Sequence, residues 1–262
     1  MRLWLRCCLV VYCLQLAAVV MATAEEMPPF KKRSGLEFVS PETRRLQEDD
    51  TSNPGMLWVL EGERLWREAV GPTGPACAGC HGEAAASMRG VAARYPLFDP
   101  ASGRPFDLQG RINLCRSEHQ GAPPLAFESQ ELLALTAFVA HQSRDLPVTA
   151  PNDERLSPFI ENGRRLYRQH LGQVDLACAD CHDERWGERL SGSLIPQAHP
   201  TGYPLYRLEW QTMGSLQRRI RNCMIGVRAE PFDFGAPELV ELELFLMQRA
   251  AGMPIETPAV RP

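Results

Sequence analysis

An all-α fold, built twice in tandem, is predicted by three observations. The chain repeats itself: Gly62-Glu63-Arg64-Leu65-Trp66 returns as Gly163-Arg164-Arg165-Leu166-Tyr167, and Cys77 returns as Cys178, both at an offset of 101 residues. Each copy ends in an apolar stripe at helical spacing: Leu132, Leu135, Phe138 and Val139 in one, and Leu239, Leu242, Phe245 and Leu246 in the other. Each copy also holds one Cys-x-x-Cys-His sequence, Cys77-Ala78-Gly79-Cys80-His81 and Cys178-Ala179-Asp180-Cys181-His182. That sequence is the attachment signature of c-type haem. Two thiols add across the haem vinyl groups, and the adjacent histidine supplies an axial nitrogen. The prediction is therefore two tandem cytochrome c-like domains, each with a covalently bound haem, behind an N-terminal extension.

The elements follow in order. Met1 to Arg6 carries two arginines, Cys7 to Val20 is almost unbroken apolar sequence, and Ala22-Thr23-Ala24 is a small-x-small site. Residues 1–24 are read as a secretory signal peptide, with a retained anchor as the alternative. No other stretch is long and apolar enough to suggest a membrane span after cleavage. Residues 25–52 are a polar N-terminal extension that wraps the surface or meets a partner. The first domain spans 53–146. Asn53-Pro54-Gly55 leads into a helix whose apolar positions include Trp58, Leu65 and Trp66; the haem motif, a long loop, a short helix and the closing helix from Ser129 to Arg144 follow. Residues 147–156 are a linker, within a Pro-containing polar stretch from Asp145 to Arg155.

The second domain spans 157–262. Ser157-Pro158 reads as an N-cap with proline at the first helical position. Phe159, Gly163, Leu166 and Tyr167 share a face, and the closing helix runs from Pro237 to Arg249. Tyr95-Pro96-Leu97 returns as Tyr203-Pro204-Leu205, now at an offset of 108, so the second copy gains seven residues, placed in Trp186 to Gly202. A glycine in the first helix and an aromatic in the last suit the small cytochrome c fold, whose end helices cross closely. A copy of about 100 residues is short for a self-sufficient core, and a buried haem supplies apolar mass.

Nine cysteines divide cleanly. Cys7, Cys8 and Cys13 leave with the signal, and Cys77, Cys80, Cys178 and Cys181 attach haem. Cys115 and Cys223 remain, and they too lie 108 residues apart. They are the candidate distal ligands, opposite His81 and His182. A Cys115–Cys223 disulfide is the structural alternative. Met88 lies too near its own motif. Met213, Met224, His119 and His141 lack counterparts in the other copy, and Met247 reads as core. A thiolate ligand favours ferric iron and lowers the potential. The metal also holds the sulfur deprotonated, and hence nucleophilic. Arg219, Arg221 and Arg228 flank Cys223; if the segment is helical, Arg219 lies on the cysteine's face, one turn earlier. A guanidinium there can grip a sulfonate-like group, while pairing with haem propionates or solvent is the alternative use of these arginines. The formal net charge of −4, with no basic run, argues against nucleic acid.

The two haem motifs, the matched cysteines and the run Leu216-Gln217-Arg218-Arg219-Ile220-Arg221-Asn222-Cys223 resemble the SoxA family of dihaem cytochrome subunits. Arg33-Ser34-Gly35, Glu48-Asp49-Asp50, Asn53-Pro54-Gly55-Met56-Leu57-Trp58, Arg228-Ala229-Glu230-Pro231 and the tail Pro254-Ile255-Glu256-Thr257-Pro258 agree, so the resemblance covers nearly the whole mature chain. The resemblance implies a periplasmic L-cysteine S-thiosulfotransferase that works with a monohaem cytochrome, SoxX. It joins thiosulfate to a cysteine of the carrier SoxYZ, giving a cysteine S-thiosulfonate and two electrons for a cytochrome c acceptor. It also implies that Cys223 is catalytic and can carry a persulfide intermediate, and that Arg219 contacts substrate. A plain dihaem electron carrier is the main rival reading. A dihaem peroxidase and a non-catalytic structural partner are weaker ones.

Overall fold

The computed structural model describes residues 31–70, 74–149 and 151–262. The expected signal peptide, residues 1–24, and the start of the extension lie outside the described residues. Along the chain the main helices are α1 (Pro41–Glu48), α2 (Met56–Arg67), α3 (Cys77–His81), α4 (Leu108–His119), α5 (Gln130–His141), α6 (Ser157–Arg168), α7 (Cys178–His182), α8 (Leu216–Gly226) and α9 (Pro237–Arg249). Among the described residues, no helix is long and apolar enough to cross a membrane.

Side-chain caps explain where several helices begin. Ser40 accepts a hydrogen bond from Thr43 N at 3.2 Å, Asp107 from Gly110 N at 2.6 Å, Ser129 from Leu132 N at 3.3 Å and Ser215 from Arg218 N at 3.1 Å. Ser157 departs from its expected capping role. A 3-10 turn, Glu154–Leu156, runs straight into α6, so Ser157 is already helical, and Asp153 caps the turn by accepting from Arg155 N at 3.0 Å.

In both halves a glycine sets how closely the first and last helices cross. A Cβ on Gly62 would sit 2.1 Å from Ala134 O, and one on Gly163 would sit 2.1 Å from Glu241 O. Aromatic rings close the crossing on either side: Trp66 and Phe138 have centroids 5.9 Å apart, and Tyr167 and Phe245 5.3 Å apart. The expected glycine–aromatic pairing is present twice.

The fold is mainly, not purely, helical. Each Tyr-Pro-Leu segment opens a hairpin: β1 (Leu97–Asp99) pairs antiparallel with β2 (Arg104–Phe106), and β3 (Leu205–Arg207) with β4 (Thr212–Gly214). The tail strand β5 (Ala259–Arg261) then adds to β3 in parallel. Strands this short carry too little alternation to be read from sequence. The expected insertion forms its own small hairpin, Arg189–Leu190 with Ser193–Leu194.

The described part of the N-terminal extension packs over that insertion and the tail. Arg33 N donates to Gln197 Oε1 at 2.8 Å, and Phe38 meets Trp186 edge-on at 6.3 Å. Asn53 Nδ2 donates to Pro258 O at 2.9 Å, and Gln47 Oε1 accepts from Val260 N at 3.1 Å. The stretch expected as a linker is not slack at its start. Val148 N donates to Met253 O and Gly252 N to Val148 O, each at 2.8 Å, while Ile255 N donates to Leu146 O at 2.9 Å.

Between the halves lies a cavity of about 60 Å³ whose mixed lining includes the polar residues Asp107, Gln109, Thr136, Tyr203, Gln217 and Glu243. Gln217 Nε2 donates to Asp107 Oδ2 at 2.6 Å. Burial pushes the Asp107 carboxyl up to about 6, against the hydrogen bonds from Gly110 and Gln217 that favour its ionised form. Burial, and then the Asp107 charge, also raise Glu243. A carboxyl raised on folding stabilises the fold while protonated, so its contribution is present below its unfolded value and is lost as pH rises through about 6. Asp107→Asn is expected to flatten the loss of stability between about pH 4 and pH 6, by on the order of 3 kcal/mol. Urea unfolding at stepped pH measures it; an unchanged slope would place the titration elsewhere.

Candidate functional site

The first centre is built on α3, α4 and α2. The α3 turn presents Cys77, half-buried, and Cys80, exposed, with His81 at its end. Trp66 of α2 lies against the His81 ring, centroids 5.7 Å apart, and its Nε1 donates to Gly82 O at 3.1 Å. Gly82 itself has φ +67° and ψ −142°, a conformation open to glycine that lets the chain turn off the helix. Cys115 sits in the middle of α4, one turn after Arg111. Burial pushes the Cys115 thiol up; the Arg111 charge opposes this, and the nearby Cys80 adds to it. Arg111 is held by Asp99, 2.9 Å away, and its charge acts on Tyr95.

The second centre repeats this plan with a different electrostatic outcome. The α7 turn presents Cys178 and Cys181, with His182 at its end. Asp180 holds the start of the turn by accepting from Ala177 N at 2.9 Å. Burial, with the Cys223 charge adding to it, pushes the Cys178 thiol up to about 12. Cys223 projects from α8, whose Ser215 cap and helical course place Arg219 one turn before it. Burial alone would push the Cys223 thiol up as well. A hydrogen bond with His182 and the charges of Arg219, His182 and Arg207 outweigh that, and hold the thiol below its ordinary value. Arg219 is itself raised: burial works against its charge, but Cys223, Tyr203 and Glu209 favour it. Among the described residues the Arg219 guanidinium has no hydrogen bond or ion pair with a carboxylate.

These arrangements fit a haem at each centre. Cys115 and Cys223 are free thiols, not a disulfide, as are the four motif cysteines. His182 Nδ1 donates to Pro196 O at 2.6 Å, which turns the Nε2 lone pair toward the space that Cys223 faces. One imidazole and one thiol meeting from opposite elements form a suitable axial pair for haem iron. The other sequence candidates are placed for other work. Met213 is fully buried in the core cluster of the first half, and Met247 packs with Ala250 and Met253. His141 lies among Arg144, Asp50 and Asp145, where burial depresses its pKa. Arg221 stacks on Phe234 at 4.4 Å.

Sequence reasoning missed part of the second centre. Tyr203, half-buried near Cys223, is raised by burial, while the charges of Arg219 and Arg207 pull it down. Its backbone is fixed by the tail, since Thr257 Oγ1 donates to Tyr203 O at 2.8 Å. Behind His182, Asp183 accepts from the Tyr167 hydroxyl at 2.9 Å and pairs with Arg249 at 2.6 Å. The repeated Tyr-Pro-Leu pointed to Tyr203; Arg207, two residues beyond it, carried no signal of its own.

Comparison with known proteins gives a consistent picture. The model of the SoxA/TsdA cytochrome c domain matches the chain twice, over residues 61–148 and 162–255. The L-cysteine S-thiosulfotransferase subunit SoxA of Pseudaminobacter salicylatoxidans is 38% identical over 245 residues, which cover 93% of this chain and 86% of that one. The subunit of the same name from Rhodovulum sulfidophilum is 35% identical over 229 residues, 87% of this chain and 80% of that one. The crystal structure of SoxXA from P. pantotrophus superposes with a TM-score of 0.85 at 31% identity, over 88% of this chain and 87% of that chain.

Proposed function

The chain belongs to the SoxA/TsdA cytochrome c family, and from that membership we infer that it is the dihaem subunit of an L-cysteine S-thiosulfotransferase. It joins thiosulfate to a cysteine of a SoxYZ-type carrier and passes the electrons to cytochrome c. Its partner is a monohaem cytochrome of the SoxX type, as in the SoxXA structure it matches. The expected secretory signal and the two haem-attachment motifs support a periplasmic location.

One observation carries the reading: of the two matched cysteines, only Cys223 has its thiol held low, beside a guanidinium that among the described residues has no ion pair with a carboxylate. Cys77 and Cys80 would attach one haem, with His81 and Cys115 as the residues that would hold its iron. Cys178 and Cys181 would attach the other, with His182 and Cys223. When bound, the second haem supplies a one-electron acceptor beside the reacting sulfur. The rest falls to the chain's own residues. Arg219 holds the sulfonate end of thiosulfate by paired hydrogen bonds and turns its terminal sulfur toward Cys223. The Cys223 thiolate and that sulfur form an S–S bond with loss of two electrons, giving Cys223–S–S–SO3⁻. The carrier thiolate then attacks the outer sulfur of that bond. It leaves as carrier–S–S–SO3⁻ and restores the Cys223 thiolate. If the Cys223 thiolate instead attacks the terminal sulfur of unoxidised thiosulfate and displaces sulfite, that sulfur stays behind as Cys223–S–S⁻, with no net electron loss.

The test uses the haem-loaded complex with its monohaem partner, a SoxYZ-type carrier, thiosulfate and oxidised cytochrome c. Mass spectrometry of the carrier cysteine should show the thiosulfonate adduct, with two cytochrome c molecules reduced for each. Cytochrome reduction with an unmodified carrier would favour the plain electron carrier. Cys115→Ala should alter the spectrum of one haem yet keep carrier-dependent turnover within about threefold. A hundredfold loss would move the chemistry to the first centre.

A further inference from the structure

The two centres are copies, and among the charged positions at which they differ, one holds the residue that pairs with the arginine before the cysteine. Tyr95, Asp99, Arg111 and Cys115 each have a counterpart 108 residues on, at Tyr203, Arg207, Arg219 and Cys223. The backbone supports this equivalence residue by residue. Asp99 and Arg207 are both the third residue of a three-residue strand, facing Arg104 and Thr212 across their hairpins. Arg111 and Arg219 lie one turn before the cysteine in capped helices of the same course. Tyrosine, arginine and cysteine are kept; an aspartate has become an arginine.

The exchange inverts the local chemistry. At the first centre Asp99 accepts from Arg111 Nη2 at 2.9 Å, so that cation is already neutralised. Asp99 is pinned for the purpose, accepting from Ser102 N at 2.8 Å. At the second centre no carboxylate replaces it, and the side chain at that position adds a second positive charge beside Cys223. Arg207 is only 13% exposed; it pairs through Nε with Glu209 at 2.9 Å and lies over the Trp210 ring at 5.4 Å, and among the described residues its terminal nitrogens make no hydrogen bond. Glu209 is 66% exposed, so water screens its charge. Arg261, beside Arg207 in the sheet, is occupied by Glu256 at 3.1 Å.

We propose that Arg207 is a second binding residue for the sulfur oxyanion, and that the Asp99-to-Arg207 exchange makes the second centre, not the first, an anion receptor. The ligand class is a divalent sulfur oxyanion with a terminal nucleophilic sulfur, whose charge two guanidinium groups match and one does not. The proposal rests on the reading of Cys223 as the sulfur-accepting residue.

The experiment uses the haem-loaded complex with its monohaem partner and thiosulfate as probe. Arg207→Gln should raise KM for thiosulfate roughly tenfold and leave KM for the carrier unchanged. Arg207→Lys should recover most of the loss. Arg207→Asp, which would neutralise Arg219 as Asp99 neutralises Arg111, should raise KM roughly a hundredfold. Equilibrium titration of the ferric protein with thiosulfate, without carrier, should shift its midpoint in the same order, read from the paramagnetic resonance of the second haem. Asp99→Arg should make the first haem's signal respond to thiosulfate, where the unaltered protein's does not. Unchanged thiosulfate KM and midpoint in Arg207→Asp, with both haems attached, would overturn the proposal. Should Cys223→Ala stay active, the underlying reading fails instead, so the two failures are separable.

Discussion

Cys223→Ala is expected to abolish carrier-dependent turnover, a loss of at least about 10³-fold, while two haems stay covalently attached. Attachment depends on Cys77, Cys80, Cys178 and Cys181, none of which the substitution touches. What it removes is the sulfur that lies by His182 and is held low by His182, Arg219 and Arg207. Without that thiolate, thiosulfate in the Arg219 grip has no sulfur on the chain to bond with, and the carrier has no activated disulfide to attack. The iron loses a ligand at the same time, so the second haem's spectrum must change too. The Cys115→Ala variant separates these effects, because it removes a ligand at the first centre and leaves the proposed nucleophile in place. Turnover of the carrier by mass spectrometry and haem content by intact mass measure the outcome. Full turnover by Cys223→Ala would overturn the mechanism.

The second large effect is on folding. Gly163→Ala is expected to cost about 3 kcal/mol or more, lowering the melting temperature by roughly 10 °C. Alanine is the better helix former by about 1 kcal/mol, so propensity alone would predict a gain. Contact decides otherwise. The added Cβ would lie 2.1 Å from Glu241 O and 2.9 Å from Phe245 Cβ, and the nearer atom is helix backbone that no rotamer change can move. Helices α6 and α9 would have to separate, opening the core that holds Leu156, Tyr167, Leu216 and Leu244. Gly192, where nothing lies within 4 Å of an added Cβ, is the control, and Gly192→Ala should be close to neutral. A Gly163→Ala protein as stable as the parent would mean that the helices do not cross at this distance.

The internal repeat made much of the architecture legible. It placed α2 and α6 at matching positions, and the apolar stripes gave the closing helices, with α9 found over the range expected. It also singled out Cys115 and Cys223 among candidates that included Met213 and His141. The short strands were not legible, because a pairing of three residues is set by tertiary contacts with the tail and not by a local pattern. Ser157 was misread because capping signals are local, and a preceding 3-10 turn can continue into a helix past a good cap residue. The polar, proline-containing linker gave no sign of what ties its start down, because the bonds that pin Leu146 and Val148 come from residues more than a hundred positions away. Arg207 escaped notice for a related reason. A lone arginine in a polar stretch means little until the hairpin register sets it opposite the role of Asp99.

Electron paramagnetic resonance of the purified ferric protein, with haem content fixed by mass, tests the central claim most directly. The account predicts low-spin signals characteristic of thiolate ligation at both haems, one of them lost in Cys223→Ala and the other in Cys115→Ala. Histidine–methionine signals at the second haem would contradict it: Cys223 would not be on the iron, and the chain would be an electron carrier.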